Sequence, residues 1–207
     1  MEKERLISQI LAIEFDMFVS VRSCHPASCQ EDPEGFRVMR SAQFAAWSEE
    51  TLQSYLSDLK CAVDNSRNLM TLKYARMENI VPSLHENPQV INMIHEIVAV
   101  QTEWQKEMFL KYPALMSRGR PLGATVNERR QLDTSFKTYL CCELETYSLM
   151  TLTHLFRDIM VNRSQAKNMT EEIYAHMVKG LGYSSLEEAE ETAQKTIAKT
   201  LNCEYNL

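Results

Sequence analysis

Apolar residues recur every three to four positions along most of this chain, the spacing of one face of an α-helix. The pattern predicts eight helical segments, over residues 3–20, 34–47, 48–63, 67–80, 87–112, 134–160, 170–179 and 185–201. No strand pair with a hairpin signal and no internal repeat stands out. The sequence therefore predicts an all-α protein, in which residues 1–207 form a single domain, an irregular bundle of seven to eight helices.

Polar residues mark where several of these helices begin. Ser48 precedes two glutamates and is a good N-cap, and Asn87-Pro88 places a capping side chain before a proline at the first helical position. Asp133 or Thr134 is expected to cap the helix over 134–160. The stretch 117–133 is the longest irregular segment, and loops of that length are commonly lids or binding loops.

The composition fits a globular protein and gives no electrostatic reason to bind nucleic acid. The chain has 207 residues, 44% of them hydrophobic and 24% charged, with a net charge of -6. Nucleic-acid phosphates require a basic face, so we expect no nucleic-acid partner. One basic cluster falls in the irregular segment, and it is either a solvated loop or an anion-binding lid; its members are Arg118, Arg120, Arg129 and Arg130.

The start of the chain and its apolar runs indicate a cytoplasmic protein. Met1 to Arg5 lead directly into an amphipathic helix, without the apolar core and cleavage site of a signal peptide. No apolar run approaches the roughly 18 residues that would span a bilayer. We therefore expect a cytoplasmic protein that makes no membrane contact.

Six cysteines, at positions 24, 29, 61, 141, 142 and 203, show no framework spacing. In a cytoplasmic protein they should be reduced thiols. Cys24, His25 and Cys29 could supply up to three metal ligands, but no second close pair completes a zinc site. Cys141 and Cys142 lie in the middle of a predicted helix, where a packing role is expected. We therefore assign no metal ligands.

Polar side chains inside the apolar stripes are the main functional signal. Glu143 lies beside the stripe of the helix over 134–160, and other polar residues lie on or near the inner faces of other helices. Unpaired charges are too costly to leave scattered in a core, so we expect these residues to converge. The candidate catalytic residues are Glu143 and Glu14, and the candidate ligand-binding residues are Arg40, Gln43, Lys73, Tyr74, Gln101, Tyr139 and Tyr147, with Tyr55 nearby.

Convergence has two interpretations. In one, Arg40 and Lys73 hold a small anionic or carbonyl-bearing molecule in an inter-helix pocket, and Glu143 or Glu14 transfers a proton. In the other, the same groups form a closed structural network inside a non-catalytic accessory or regulatory module. An open cleft around Glu143 would favour the first interpretation, and a closed, fully paired network would favour the second.

A di-metal carboxylate oxidoreductase is a further alternative, because helical bundles build such centres from inward glutamates and Glu-x-x-His pairs. Glu14, Glu143 and the adjacent His95-Glu96 could contribute ligands, but no Glu-x-x-His motif occurs in the bundle helices. Glu172 and His176, one turn apart, are more typical of a solvated helix pair. No cofactor is identified by the sequence.

The order of several short motifs resembles one bacterial family along nearly the whole chain. The motifs include Ser28-Cys29-Gln30, Met39 to Phe44, Arg67-Asn68-Leu69, Lys111-Tyr112-Pro113 and Ser185 to Glu190. Together they resemble the bacterial domain-of-unknown-function family four-one-two-five. The resemblance implies a bacterial, cytoplasmic, helical domain without an assigned activity. The family pattern has glycines ahead of the Ala-x-Cys-Gln motif, where this chain has Arg22 to Pro26, so any ligand contact by those glycines is in doubt here.

Overall fold

The computed structural model describes residues 2–21, 32–123, 125–126 and 132–204. Within these ranges the protein is all-α, as predicted, with one pair of two-residue antiparallel strands, β1 (Thr125–Val126) and β2 (Leu132–Asp133). The ten helices of the described residues are α1 (Glu2–Val19), α2 (Pro33–Ala45), α3 (Glu49–Asp64), α4 (Leu69–Met77), α5 (Pro88–Lys111), α6 (Pro113–Met116), α7 (Phe136–Leu144), α8 (Leu149–Ser164), α9 (Met169–Gly180) and α10 (Leu186–Glu204).

The predicted count of seven to eight helices is too low, for two reasons. A short helix, α6, follows α5 directly, and the predicted helix over 134–160 is two helices, α7 and α8. Between them Ser148 has extended backbone angles, φ −66° and ψ 159°, and its side chain accepts a hydrogen bond from the amide of Thr151. The chain turns here because Ser148 starts a new helix instead of continuing the old one.

Most predicted helix starts are confirmed. Ser48 caps α3 by accepting from the amide of Thr51, and Asn87 caps α5 with a proline at its first position. The cap of α7 is an exception, because Ser135, and neither Asp133 nor Thr134, accepts from the amide of Thr138.

The prediction of no internal repeat is wrong: α1–α4 form one four-helix repeat, and α5, α7, α8 and α9 form a second. Reciprocal hydrogen bonds between the repeats reveal this. The backbone N–H of Ser48 donates to Oδ2 of Asp158 over 3.0 Å, and the N–H of Ser148 donates to Oδ2 of Asp58 over the same distance. Ser148 lies one hundred positions after Ser48, and Asp158 lies one hundred positions after Asp58, so the two bonds are copies of one interaction.

Other features repeat in the same register. Asn68 caps α4 and Asn168 caps α9. The side-chain amide of Asn68 donates to the carbonyl of Met17 in α1, and that of Asn168 donates to the carbonyl of Trp104 in α5. Met17 and Trp104 are therefore equivalent positions, and α1 aligns with α5 at a shift of 87 positions. Helix α2 packs on α9, and its counterpart α7 packs on α4. Each repeat thus makes with the other the same contacts that it receives from it, which is what two-fold symmetry produces. The repeats are therefore related by an approximate two-fold axis.

The two symmetric aspartates should contribute to stability by similar amounts. Asp158 also accepts from Oγ1 of Thr51 at 2.5 Å, and Asp58 from Oγ1 of Thr151 at 2.7 Å. Hydrogen bonds to charged groups contribute about 1.5–3 kcal/mol. We therefore expect Asp58→Ala and Asp158→Ala each to lower the free energy of unfolding by about 1–3 kcal/mol in urea denaturation followed by circular dichroism.

Asp64→Ala is a matched control, because Asp64 is exposed at the end of the same helix as Asp58. Surface substitutions of this kind usually change the free energy of unfolding by less than about 0.5 kcal/mol. If Asp58→Ala and Asp158→Ala change stability no more than Asp64→Ala does, the reciprocal bonds do not join the repeats.

Large aromatic residues fill the core where the repeats meet. The rings of Trp47 and Tyr147, which are equivalent positions, lie 6.0 Å apart, and Tyr55 and Tyr147 lie 4.7 Å apart. Phe44 packs against both Trp47 and Tyr55. This aromatic group forms one wall of the polar cluster described below. None of the helices in the described ranges is long and apolar enough to cross a membrane.

Candidate functional site

Four charged side chains from four helices meet beside the aromatic core. Glu14 comes from α1, Arg40 from α2, Lys73 from α4 and Glu143 from α7. Each replaces an apolar residue on the inner stripe of its helix, so the packing of the helices forces the four groups together. We call this group, with its tyrosine partners Tyr55 and Tyr147, the ion cluster.

Arg40 is the centre of the ion cluster. Its Nε and Nη2 donate to the two carboxylate oxygens of Glu14, at 2.8 and 2.5 Å. Its Nη1 donates to Oε1 of Glu143 at 2.8 Å and to Oε1 of Gln43 at 2.7 Å. The bidentate pair with Glu14 is the geometry in which a guanidinium binds a carboxylate most strongly. Arg40 therefore links α1 of repeat 1 to α7 of repeat 2.

Both carboxylates are hydrogen-bonded by further donors. Glu143 accepts from Nζ of Lys73 at 2.5 Å and from the hydroxyl of Tyr147 at 2.8 Å. Gln43, the counterpart of Glu143 in repeat 1, donates to it at 3.3 Å. Glu14 accepts from the hydroxyl of Tyr55 at 2.6 Å.

The ion cluster is closed and balanced. Glu14 is 0% exposed, Lys73 2%, Glu143 4% and Arg40 7%. Two carboxylates face two cations, so their formal charges cancel. Among the described residues, no buried side-chain nitrogen or oxygen lacks a hydrogen-bond partner. Burial of these charges is tolerated because each is paired inside the protein.

The pairing fixes the charge state of Glu143. Burial by itself would raise the pKa of this carboxyl, but Arg40 and Lys73 outweigh burial and hold the pKa far below its ordinary value. The pKa of Lys73 is raised, because the charge of Glu143 outweighs the effect of burial. Burial and the neighbouring carboxylates raise the pKa of both Tyr55 and Tyr147. At neutral pH Glu143 and Lys73 are consequently fully charged, and the two tyrosines are neutral.

The edge of the ion cluster is formed by tyrosines. Nζ of Lys73 lies 3.6 Å from the ring centre of Tyr139 and 5.8 Å from that of Tyr74. Both rings are half-buried, and the guanidinium of exposed Arg120 lies 4.3 Å from the ring centre of Tyr139. Tyr139 therefore contacts a buried cation and an exposed cation at once, through cation–π interactions.

The structure brings together most of the residues that the sequence nominates, with one exception. Gln101 is half-buried and occupies the position of repeat 2 that corresponds to Glu14, so it belongs to the other side of the approximate two-fold axis. The sequence places Arg120 in a basic loop and gives no signal for its contact with Tyr139. The contact comes from the fold, in which the backbone N–H of Phe136 donates to the carbonyl of Pro121 at 2.8 Å and so brings this loop to the start of α7. Arg129, Arg130 and the Cys24 to Cys29 segment lie outside the described residues.

Metal ligation is not supported by the described residues, among which no three His, Cys, Asp or Glu side chains are close enough to hold an ion. Arg40 lies between the carboxylates of Glu14 and Glu143, where a di-metal centre would require metal. His95 and Glu96 are exposed. Within the described part of the chain, the thiols of Cys61, Cys141 and Cys142 are free.

The two adjacent thiols are not activated. Burial, with the nearby carboxylate of Glu145, raises the pKa of Cys141 to about 11. Burial also raises the pKa of Cys142. Since the thiolate is the reactive form, these environments are those of packing residues.

Comparison with known proteins identifies the family but no activity. A search of curated proteins found no match, and a search of solved structures found none either. The model of one family, described as a protein of unknown function (DUF4125), matches residues 4–191. The matched range covers both repeats and every residue of the ion cluster. The chain belongs to this family.

Proposed function

We propose that this protein is a non-catalytic helical module with an accessory or regulatory role, in which the ion cluster holds the two repeats in register. The observation that carries the proposal is the closure of the cluster, in which Arg40 binds carboxylates from both repeats. A closed, charge-balanced network of this kind supports a structural role, because its two carboxylates and its guanidinium are already bound to one another.

The charge state of Glu143 also argues for a structural role. A general acid or base works best when its pKa lies near the working pH. The pKa of Glu143 is held far below neutrality, so this carboxylate is a weak base and cannot act as an acid at pH 7. Proton transfer would first require the loss of its bonds to Arg40 and Lys73.

The residues at equivalent positions of the two repeats provide a comparison that supports this proposal. In repeat 2 the positions of Glu14, Arg40 and Lys73 are occupied by Gln101, Leu140 and Ile173. The counterpart of Glu143 in repeat 1 is Gln43. The same four-helix unit therefore folds with neutral side chains at these positions. Transferring the neutral residues gives Glu14→Gln, Arg40→Leu, Lys73→Ile and Glu143→Gln, which together we call the repeat-matched variant.

A small-molecule-binding protein is the second candidate, favoured by the environment of Lys73. An ammonium group has three donors, and the described contacts of Lys73 are one carboxylate oxygen and two tyrosine rings. An anionic or carbonyl-bearing ligand that displaced Tyr139 would gain Lys73 and Arg120 as partners. Acid/base chemistry by Glu143 or Glu14 belongs to this candidate, and so does a ligand role for the residues around them.

One experiment separates the two candidates. Wild-type protein and the repeat-matched variant are each incubated with a cellular metabolite extract, and mass spectrometry then measures which compounds are retained or consumed. A non-catalytic module with a structural cluster is expected to give the same profile for both proteins. A compound retained or consumed by the wild type alone would contradict this proposal and support a binding site at Lys73.

A bacterial, cytoplasmic setting is part of the same proposal. It is supported by the resemblance of the motifs to a bacterial family and by the free thiols of the described cysteines, which are typical of a reducing compartment. The net charge of -6 gives no support for a nucleic-acid partner.

A further inference from the structure

A groove with a volume of about 690 Å³ lies between α1, α2 and α9, away from the ion cluster. Small-molecule pockets commonly have volumes of about 300–1,000 Å³. Apolar and small side chains form much of its lining, including Ile7, Leu11, Ala42, Ala45 and Gly180. The approximate two-fold axis gives this groove a counterpart in the same molecule.

The counterpart, beside α4 and α7, is partly filled by side chains and has a smaller volume of about 350 Å³; we call it the filled groove. There Nε of Arg76 donates to Oε2 of Glu145 at 2.9 Å, and the same oxygen accepts from the amide of Leu84. The corresponding positions in the open groove are His176 and Ala45. The open groove thus differs from the filled one by the loss of an internal carboxylate.

Basic side chains remain around the position of the missing carboxylate. His176 and Arg37 line the open groove, and Nζ of Lys3 donates to the carbonyl of Ala45 at 2.5 Å. Among the described residues, Arg37 forms no ion pair. Two acids also line the groove. Glu34 is in the first turn of α2, where the helix dipole stabilises an acid, and Glu4 has an interaction partner of its own.

We propose that this groove binds a small monocarboxylate with an apolar body. The ligand carboxylate takes the place that Glu145 has in the filled groove, beside His176, Arg37 and Lys3. Its apolar body packs on Ile7 and Leu11. The proposal concerns a different site from the ion cluster and stands whether or not that cluster is structural.

Octanoate is a suitable probe, with 1-octanol as the same chain without the charge. Isothermal titration calorimetry of the wild-type protein is expected to show saturable binding of one octanoate, with octanol at least ten-fold weaker. The double variant A45E/H176R copies the Glu145 and Arg76 pair into the open groove. It is expected to weaken octanoate binding at least ten-fold while the melting temperature, measured by circular dichroism, shows a folded protein.

Arg37→Gln gives a second test that does not depend on filling the groove. Arg37 is exposed, so this variant should fold normally, and we expect octanoate binding at least three-fold weaker than in the wild type. Glu103→Gln, an exposed change on α5, is the matched control and should leave binding unchanged. The proposal is overturned if the wild type binds no octanoate saturably, if octanol binds as well as octanoate, or if Arg37→Gln and A45E/H176R both bind with wild-type affinity.

Discussion

Arg40→Leu is expected to lower the free energy of unfolding by about 3–5 kcal/mol, the usual cost of removing one partner from a buried ion pair. The substitution leaves Glu14 with the hydroxyl of Tyr55 as its remaining described donor, and it removes the bond from Arg40 to Glu143, which is one of several between the repeats. Part of the loss comes from the desolvated carboxylate that stays behind without a counter-charge. Urea denaturation followed by tryptophan fluorescence measures the change, since Trp47 lies in the adjoining core.

The control for Arg40→Leu is Arg37→Leu, a change of the same kind on the same helix. Arg37 is exposed, so the expected change in the free energy of unfolding is within about 0.5 kcal/mol. A loss of less than about 1 kcal/mol for Arg40→Leu would mean that water or rearrangement replaces the lost bonds, and the cluster would not be the join between the repeats.

Glu143→Gln is expected to destabilise the protein by about 3–5 kcal/mol at pH 7, although glutamine has nearly the same shape. The amide can still accept a hydrogen bond, but it no longer neutralises Arg40 and Lys73, so one positive charge remains buried without a counter-charge. The comparison of unfolding midpoints in urea for wild type and variant measures this loss.

The pH dependence of the same difference gives a sharper test. Because the pKa of Glu143 is lower in the folded protein than its unfolded value of about 4.3, its contribution is complete above that value and is lost as the pH falls towards the folded pKa. The gap in unfolding free energy between wild type and Glu143→Gln should therefore be constant from pH 6 to 8. Below a pH of about 4.3 the gap should narrow, because the unfolded wild-type chain then binds a proton at Glu143 that the folded protein does not, which destabilises the wild type but not the variant. A gap unchanged down to pH 3 would show that Glu143 is not held ionised by its partners.

The convergence of the charged residues could be predicted because each of them interrupts an apolar stripe. Glu14, Arg40, Lys73 and Glu143 are costly in a core unless they meet, and the structure brings all four together. The identity of the pairs could not be predicted, because the stripes do not show which helices are neighbours. Whether the site is open or closed could not be predicted either, because that also depends on how the helices pack.

The helix break at Ser148 and the repeat were missed for a related reason. Leu144, Tyr147 and Leu155 continue the apolar spacing through the turn at Ser148. The spacing of apolar residues alone therefore predicts one helix here. The repeats share apolar positions, among them Phe36 with Phe136 and Leu52 with Leu152, but apolar residues recur along every helix and do not single out one spacing. The polar positions do single it out: they are the caps Ser48 and Ser148, the caps Asn68 and Asn168, and the aspartates Asp58 and Asp158. Comparing capping residues along the chain would have detected the spacing of one hundred positions.

The unfolding free energy of the repeat-matched variant tests the central claim most directly. If the ion cluster is a structural join, removing all four charges together leaves no unpaired ion, and neutral residues that the same fold already uses fill the space. The variant is then predicted to be more stable than Arg40→Leu alone, although it carries three more substitutions. If the losses from the four substitutions add instead, the repeat-matched variant will be less stable than Arg40→Leu. That result would contradict the claim that the four charges act only by pairing with one another.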